Sequence, residues 1–382
     1  MVTKKILLDE YGPEYVVSAY DPSTNMEGFL VIDNTLLGPG KGGVRMTPDI
    51  TVEEVFRLAR TMTWKNALAG IPFGGAKAGI RWNGGDKDQK KSMVQSFAKA
   101  ISPFIPRKYI AGPDVNTGEQ EMQWFVEATG NWRSATGKPA NLCMTLFGKK
   151  GEKCGIPHEF GSTGFGVAWA VKTGAELVGM DMKGATVAIH GFGNVGSFAA
   201  RHLSEMGSVV VAVADRSGAV YAKQGLNLKS LEAISQSRKS ISEYKGADSI
   251  TEQEFWSLPV DILIPASVTD VIHQGNKNTI RAKIIAEGAN IPMKEDIEEE
   301  LFQKGILIIP DFVANAGGVI SSYAEYRGYN PKRMFETVQN KIVKSTKVVL
   351  EQSMKMKRNP RSIALDIAKE RIAIARKKRK TV

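Results

Sequence analysis

The spacing of hydrophobic residues changes along the chain and predicts first a mixed zone of short strands and amphipathic helices. This zone covers residues 1 to about 155. One helix is predicted to begin at the capping-box pattern Thr51-Val-Glu-Glu54, and a second to span about Asp88–Ile101. Residues at helical spacing that should face a core are Val55, Leu58 and Met62 in the first helix and Met93, Phe97 and Ile101 in the second.

From about residue 160 to 325 the pattern changes to short β-rich runs, each followed by a helical stretch. This alternation predicts βαβ units and a mostly parallel sheet with both faces covered. The predicted strands are Thr186–Ile189, Val209–Ala214, Ile262–Ile264, Lys283–Ala286 and Ile306–Ile309. The last zone is helical, with helices expected to begin at Pro331 and Pro360, because an asparagine precedes each proline.

The segment 185–203 carries a glycine motif between a predicted strand and a predicted helix. Its form is Gly191-x-Gly193-x-x-Gly196. The first glycine allows a tight turn, the second lets the backbone approach a pyrophosphate, and the third allows close helix–strand contact. The phosphates would bind the free N–H groups at the start of the helix. We therefore predict a Rossmann-type dinucleotide-binding domain.

Asp215, at the end of the next predicted strand, points to the identity of the dinucleotide. It lies 24 residues after Gly191, close to the spacing of about 20 expected for a carboxylate that binds a ribose 2′-hydroxyl. A carboxylate repels a 2′-phosphate and so favours NAD. The neighbouring Arg216 could meet such a phosphate, so we expect NAD as the cofactor, with use of NADP as the alternative.

The length of 382 residues suits two domains at about 100–200 residues each. We assign residues 1–158 to an N-terminal α/β domain. Residues 159–329 form the Rossmann-type, doubly wound domain. The C-terminal helices, residues 330–382, are expected to pack back on the first domain.

Three lysines in the first zone are candidates for chemistry. Lys41 lies in GPGKGGVR, Lys65 in MTWKNALAG and Lys77 in PFGGAKAGI. Paired glycines bring backbone close to a ligand and exclude water, and burial near other cations would lower a lysine pKa towards neutrality. Asp114 in YIAGPDVNT follows a short apolar run and would be a second proton-transfer group. Each lysine alone could be a surface charge; three together favour a reactive site.

These motifs resemble those of the glutamate/leucine/phenylalanine/valine dehydrogenase superfamily, and most of all its glutamate dehydrogenases. The resemblance runs from about residue 20 to about 350 and includes GFGNVG, EGANIP (287–292) and PDFVANAGGVISSYAE (310–325). It implies an oxidoreductase that converts an amino acid reversibly into a 2-oxoacid and ammonia with NAD(P), in a closable cleft. It also implies that residues 1–158 serve substrate binding and dimerisation, and that the protein is a homo-oligomer, often a hexamer in this superfamily.

The resemblance further implies roles for single residues. Lys77 would activate water, and Asp114 would carry protons to and from the amino group. Lys65 would bind the α-carboxylate, while Lys41 and Ser322 would bind a side-chain carboxylate. The implied cofactor-binding residues are Thr163, Gly191, Gly193, Asn194, Val195, Gly196, Asp215, Asn290 and Asn315.

The pair Lys41 and Ser322 favours glutamate as the substrate, because a buried cation without a carboxylate partner makes an aliphatic side chain costly. A leucine, valine or phenylalanine dehydrogenase is the alternative within the superfamily. A catalytically silent paralogue is the alternative from another class. Residues 140–162 lack the GGSxxR element of the family, and Lys149, Lys150 or His158 are candidates to replace its arginine.

The net charge of +11 is concentrated at one end, since six basic residues and no acidic side chain lie in the last twelve positions. Cations at a helix end suit the helix dipole; a polyanion-binding arm is the alternative. We expect no nucleic-acid partner, since no aromatic residues interleave with the basic ones.

No apolar run is long enough to span a bilayer, and no secretory signal is recognisable at the N-terminus. The two cysteines, Cys143 and Cys154, are expected to be incidental thiols in a cytoplasmic protein, and their spacing to histidines suits no metal site.

Overall fold

The structure, a computed structural model, describes residues 8–143, 154–237 and 239–380. The chain divides into two compact units. The first contains Met1–Phe160, Val319–Thr337 and Ile367–Val382, and the second contains Gly161–Gly318 and Val338–Asp366. Residues 338–366 therefore group with the second unit, whereas the sequence-based division placed all of 330–382 with the first.

The N-terminal part of the first unit is built on a mixed sheet with helices packed on it. Its strands are β1 Tyr15–Asp21, β2 Met26–Asn34, β3 Gly40–Lys41, β4 Val44–Thr47, β5 Gly74–Arg81 and β6 Tyr109–Ile110. Its helices are α1 Val52–Leu68, α2 Lys87–Ala100 and α3 Glu119–Thr129. The strand order is β1-β2-β5-β3-β6, with β4 also paired to β5. Strands β3 and β4 run parallel to β5, so their C-terminal ends lie at the same edge.

Both helices predicted in the first zone are confirmed, but the first turn of each differs from the prediction. The Thr51 side chain accepts a hydrogen bond from the Glu54 N–H at 3.2 Å, but the Glu54 carboxylate binds Arg45 at 2.7 Å instead of closing the capping box. Helix α2 has the full capping box, formed by Asp86 and Gln89. The predicted inward residues of α2 pack in the core with the strands.

The second unit contains a seven-stranded sheet. Its strands are β7 Thr186–His190, β8 Val209–Asp215, β9 Gly218–Tyr221, β10 Asp248–Ile250, β11 Ile262–Pro265, β12 Ile284–Ala286 and β13 Leu307–Ile309. Its helices are α4 Ser162–Leu177, α5 Asn194–Glu205, α6 Leu228–Gln236, α7 Glu252–Ser257, α8 Glu295–Gln303 and α9 Asp311–Ala314. The order is β10-β9-β8-β7-β11-β12-β13.

All five predicted strands of this sheet are present and run parallel to one another. The antiparallel strands β9 and β10 extend the sheet beyond β8, and the sequence pattern did not reveal them. Both are short, and β10 is mostly exposed. The predicted α/β fold with a Rossmann-type sheet is confirmed.

Three helices follow: α10 Gly317–Arg327, α11 Pro331–Met356 and α12 Pro360–Lys380. The last two begin at the predicted prolines, and the Asn330 and Asn359 side chains accept hydrogen bonds from N–H groups of the first turns. Leu350 of α11 lies beside Gly174 of α4, which explains why this part of the helix belongs to the second unit. The basic end of the chain is helical as predicted.

Cys143 and Cys154 form a disulfide, so the prediction of two incidental thiols is wrong. The two cysteines form an antiparallel bridge, and the Gly155 N–H donates to the Leu142 carbonyl at 3.1 Å. This pairing is a tertiary feature that the spacing of two cysteines does not encode. Among the described residues, no helix is long and apolar enough to cross a membrane. The cytoplasmic location stays a prediction.

Arg361, near the start of α12, binds three buried carboxylates of the second unit. Its guanidinium lies 2.6 Å from Glu287, 2.5 Å from Glu298 and 3.0 Å from Asp311. Burial raises the pKa of Glu287 well above its usual range, and the neighbouring carboxylates add to this while Arg361 opposes it. One cation thus keeps an acidic cluster folded in the interior.

We expect Arg361→Met to destabilise the protein by about 3–5 kcal/mol, because the carboxylates would stay buried without their cation. The loss should shrink as the pH falls, since protonated carboxyls need no partner. Urea unfolding at several pH values measures both effects. Arg358→Met is the matched control, because Arg358 pairs with Asp366 at the surface, with 43% and 55% of the two side chains exposed. An equal effect of both substitutions would contradict this account.

Candidate active site

Lys77 and Asp114 meet in the first unit. Lys77 lies in β5 and is 7% exposed, and its Nζ is 2.7 Å from Oδ2 of Asp114. Asp114 follows β6 in a turn in which its N–H donates to the hydroxyl of Thr117 at 2.8 Å, and that hydroxyl donates to the Val44 carbonyl of β4 at 2.7 Å. The two groups predicted to transfer protons therefore form an ion pair through which a proton can pass.

Gly43 allows the segment after Lys41 to pass close to Asp114. A Cβ on Gly43 would lie 2.6 Å from the Pro113 carbonyl oxygen and 2.8 Å from the Asp114 Cβ. Both distances are too short for any side chain at this position. The second glycine after Lys41 is thus required by packing within the protein.

Arg45 also binds Asp114, with Nε 3.2 Å from Oδ2, and its other end binds Glu54. Burial by itself would raise the pKa of Asp114, but the charges of Lys77 and Arg45 outweigh it and lower the pKa. Asp114 is therefore an ionised base in the resting structure. The arginine stands in the quoted GPGKGGVR motif, so sequence could have suggested it, but its contact with Asp114 depends on the parallel pairing of β4.

Lys41, in β3, is a buried lysine whose pKa is strongly lowered. It is 3% exposed, and its Nζ donates to the Ala111 carbonyl at 2.9 Å. Burial lowers its pKa to about 7, with further lowering by Lys138 and Lys77 and an opposing effect of Glu325. The expected depression of a lysine pKa in this site is found at Lys41 and, in the same direction, at the buried Lys138, where burial outweighs the opposing charge of Glu325.

Lys65 is 7% exposed in α1. The next residue, Asn66, fixes this part of α1 against the strands, since its amide donates to the carbonyls of Gly74 at 2.6 Å and Lys41 at 3.4 Å. Ser322 lies in α10 and belongs to the same compact unit as the lysines. All five predicted catalytic and substrate-binding residues are thus in one unit.

The structure adds two buried charged residues that sequence reasoning missed, Lys138 and Glu325. They form an ion pair of 2.6 Å with side chains that are 1% and 0% exposed. Glu325 is the last residue of the quoted PDFVANAGGVISSYAE motif, which was a signal of its presence but not of its partner. His158, a candidate for the missing arginine, is largely exposed beside Glu159. Lys149 and Lys150 lie outside the described residues.

The second unit forms the glycine loop as predicted. Gly191 has φ of +102°, and a Cβ on Gly196 would lie 1.9 Å from the Gly191 carbonyl oxygen. Asn194 and Val195 start α5, and Gly193 precedes them as its N-cap. A Cβ on Gly193 would meet no described atom within 4 Å. The protein itself thus needs glycine at the first and third positions, and the second leaves room at a helix N-terminus for a phosphate.

The other predicted cofactor residues lie in the same unit. Asp215 ends β8, and its carboxylate accepts hydrogen bonds from the N–H and hydroxyl of Ser217. The Asn315 amide donates to the Asn290 side chain at 3.1 Å, and its Oδ1 is buried and accepts no hydrogen bond from the described residues. Thr163 is the second residue of α4, and its hydroxyl would lie 2.9 Å from a Cβ on Gly318. The unsatisfied buried oxygen of Asn315 and the open space at Gly193 are both suited to binding a dinucleotide.

The described residues contain no group of three or more His, Cys, Asp or Glu side chains placed to hold a metal ion. The charged groups of the first unit instead suit proton transfer and the binding of carboxylates.

Comparison with known proteins agrees with this geometry. The family model described as "Glutamate/Leucine/Phenylalanine/Valine dehydrogenase" matches residues 154–380. The model described as "Glu/Leu/Phe/Val dehydrogenase, dimerisation domain" matches residues 14–131. The chain belongs to the glutamate/leucine/phenylalanine/valine dehydrogenase family. The resemblance seen in the sequence motifs is confirmed.

Individual relatives cover nearly the whole chain. A glutamate dehydrogenase of Aeropyrum pernix is 37% identical over 359 residues, which cover 91% of this chain and 85% of that protein. An NADP-specific glutamate dehydrogenase of Saccharolobus shibatae is 39% identical, with 77% and 69% covered. The solved glutamate dehydrogenase of Peptoniphilus asaccharolyticus has a TM-score of 0.82 at 28% identity, with 97% and 93% covered.

Two glycines of the loop should respond differently to substitution. Gly191→Ala should destabilise the fold by about 1–3 kcal/mol, because its backbone conformation disfavours a side chain, and a Cβ would lie 2.7 Å from Ser267. Gly193→Ala should fold nearly as well as the parent but bind NADH and NADPH more weakly, because the methyl group would occupy the space of the phosphates. Thermal unfolding and fluorescence titration separate these effects. Unchanged dinucleotide affinity in the folded Gly193→Ala variant would remove the cofactor assignment of this loop.

Proposed function

We propose that the protein catalyses the reversible NAD(P)-dependent oxidative deamination of L-glutamate to 2-oxoglutarate and ammonia. The observation that carries this proposal is the buried pair Lys77–Asp114 in the same unit as Lys41. A proton-transfer pair provides the chemistry, and a buried amine able to bind a carboxylate provides the choice of substrate. The relatives named as glutamate dehydrogenases support the same reaction.

The two units divide the work in this proposal. The first unit binds the amino acid, with Lys65 on the α-carboxylate and Lys41 with Ser322 on the side-chain carboxylate. The second unit binds the dinucleotide through the glycine loop, Asp215 and the asparagines. When bound, the nicotinamide accepts the hydride from the substrate α-carbon or returns it there.

The chain's own residues handle the protons. Asp114, held ionised by its two cations, takes a proton from the substrate ammonium group and so prepares the α-carbon for oxidation. Lys77 then orients a water molecule, and its free amine, formed when its ammonium proton has passed to solvent, removes a proton from that water as the oxygen adds to the iminium carbon. The remaining hydroxyl proton passes to solvent as the carbonyl of the 2-oxoacid forms. Asp114 returns a proton to the nitrogen as ammonia leaves. Because the two side chains are in contact, the proton can pass between them during the cycle.

The carboxylate of Asp215 favours NAD, and Arg216 keeps NADP possible, as the NADP-specific relative illustrates. We also propose a homo-oligomer. The match to a dimerisation domain and the hetero-hexameric glutamate dehydrogenase of Thermus thermophilus, with a TM-score of 0.82 at 26% identity, support this assembly.

We expect Lys77→Ala to lower kcat by about 10²–10⁴-fold, the usual contribution of a positioned acid–base group, while NADH affinity stays near that of the parent. Steady-state oxidation of glutamate and NADH titration measure the two quantities. Lys99→Ala, at an exposed position of α2, is the control. Near-normal turnover of Lys77→Ala would reject the mechanism. Absence of NAD(P)H-linked amination of any 2-oxoacid by the parent would favour a catalytically silent paralogue.

The pKa of Lys41, about 7, predicts a pH-dependent choice of substrate. Lys41 is charged below this pH and neutral above it, whereas the glutamate side chain stays ionised in both ranges. The ratio of kcat/KM for glutamate to that for norvaline should therefore fall as the pH rises through about 7, by up to about tenfold per pH unit. Both substrates depend on proton transfer at Lys77 and Asp114, so the pH dependence of that step cancels in the ratio.

Lys41→Leu should show a ratio that favours the aliphatic substrate and no longer changes with pH. Rates with glutamate, leucine and norvaline between pH 6 and 9 provide the test. A parent enzyme that prefers leucine at every pH would instead support the aliphatic alternative.

A further inference from the structure

Glu325 is a fully buried carboxylate that joins α10 to two other segments of the first unit. One oxygen accepts hydrogen bonds from the N–H groups of Gly137 at 2.7 Å and Ile156 at 3.0 Å. The other oxygen lies 2.6 Å from Nζ of Lys138. A single side chain thus holds a helix, the turn at residues 137–138 and the backbone after Cys154 together.

The Lys138 ammonium group is held by contacts within the protein. Besides Glu325, its Nζ donates to the Ala135 carbonyl and lies 4.2 Å from the centre of the Trp132 ring. An ammonium group with these three partners is not available to a ligand. The pair Lys138–Glu325 is therefore internally neutral.

Lys41 differs from its two charged neighbours in this respect. Lys77 is paired with Asp114, and Lys138 is paired with Glu325. Within the described part of the chain, no carboxylate lies within ion-pair distance of Lys41, whose Nζ donates only to a backbone carbonyl. The amine that can accept a carboxylate from outside is therefore Lys41.

Glu325 lies in the same helix as Ser322. The two residues are three positions apart in α10, so their side chains are neighbours on one face of the helix. Tyr323 and Tyr326 of the same helix pack edge-on against Phe73, at 6.0 and 5.4 Å between ring centres. The carboxylate bonds and the aromatic contacts together fix the rotation of α10 about its axis.

We propose that Glu325 is a positioning residue for substrate selection: by binding Lys138 and the two backbone amides, it fixes Ser322 and leaves Lys41 as the amine that receives a side-chain carboxylate. Glu325 itself contacts no substrate in this proposal. The inference rests on the function proposed above and adds to it the residue that sets the charge balance around Lys41.

The direction in which a substitution should shift the pKa of Lys41 follows from the charges around this residue. Burial lowers its pKa most, the negative charge of Glu325 raises it, and the positive charges of Lys138 and Lys77 lower it. Glu325→Gln removes the favourable charge, so Lys41 should lose its proton at a lower pH. Lys138→Met removes an unfavourable charge, so Lys41 should keep its proton to a higher pH.

The test is the pH dependence of the glutamate-to-norvaline ratio of kcat/KM in the full chain, from pH 6 to 9. In Glu325→Gln the midpoint should shift down by about one pH unit, with a roughly tenfold smaller ratio on the alkaline side of the transition. In Lys138→Met the midpoint should shift up. In both variants kcat for norvaline should change much less than KM for glutamate.

Glu121→Gln is the matched control, because Glu121 is also a buried carboxylate paired with a lysine, Lys90, at 2.8 Å. Its removal should leave the midpoint in place. A purely structural role of Glu325 would change stability or all rates together and would not move the two midpoints in opposite directions.

The outcomes separate this inference from the proposed function. A parent protein that does not oxidise glutamate would reject the function and the inference with it. A parent whose ratio falls near pH 7, with unchanged midpoints in both variants, would reject only the role of Glu325. If Glu325→Gln does not fold, the upward shift in Lys138→Met supports the inference, and an unchanged or lower midpoint overturns it.

Discussion

The candidate active site depends on the burial of several charged groups in one small sheet, since each must be compensated without access to water. A buried ion costs several kcal/mol unless a partner stands at short range. The first unit meets this constraint by pairing Asp114 with Lys77 and Arg45, and Glu325 with Lys138. Lys41 donates to a backbone carbonyl instead, and burial, the largest cause, lowers its pKa to about 7.

The strand geometry explains why these pairs are possible. Parallel strands β3, β4 and β5 bring the GPGKGGVR and GGAKAG segments side by side. The glycines of these segments let the Asp114 turn approach until its carboxylate meets both Lys77 and Arg45. The catalytic groups thus belong to a rigid sheet, which suits proton transfer over short, constant distances.

The second unit uses charge in a different way. Arg361 holds Glu287 and Asp311 together, and these two carboxylates frame the loop that carries Asn290. The Asp311 carboxylate accepts a hydrogen bond from the Ile291 N–H at 3.0 Å, and the Asn315 amide donates to carbonyls of the same loop. Here the buried cluster is a scaffold that orients polar groups towards the proposed dinucleotide position.

The sequence alone determined the five parallel strands of the second unit, the glycine loop and the first residues of the last two helices, because each has a local signal: β-branched runs, glycine spacing, or asparagine before proline. It also identified Lys77 and Asp114 as candidates through motifs. Only the tertiary structure revealed which charges meet. The Cys143–Cys154 disulfide, the role of Arg45 and the contact between Lys138 and Glu325 join residues that no local pattern relates. The same holds for the depressed pKa of Lys41, since a pKa depends on burial and on neighbours brought together by folding.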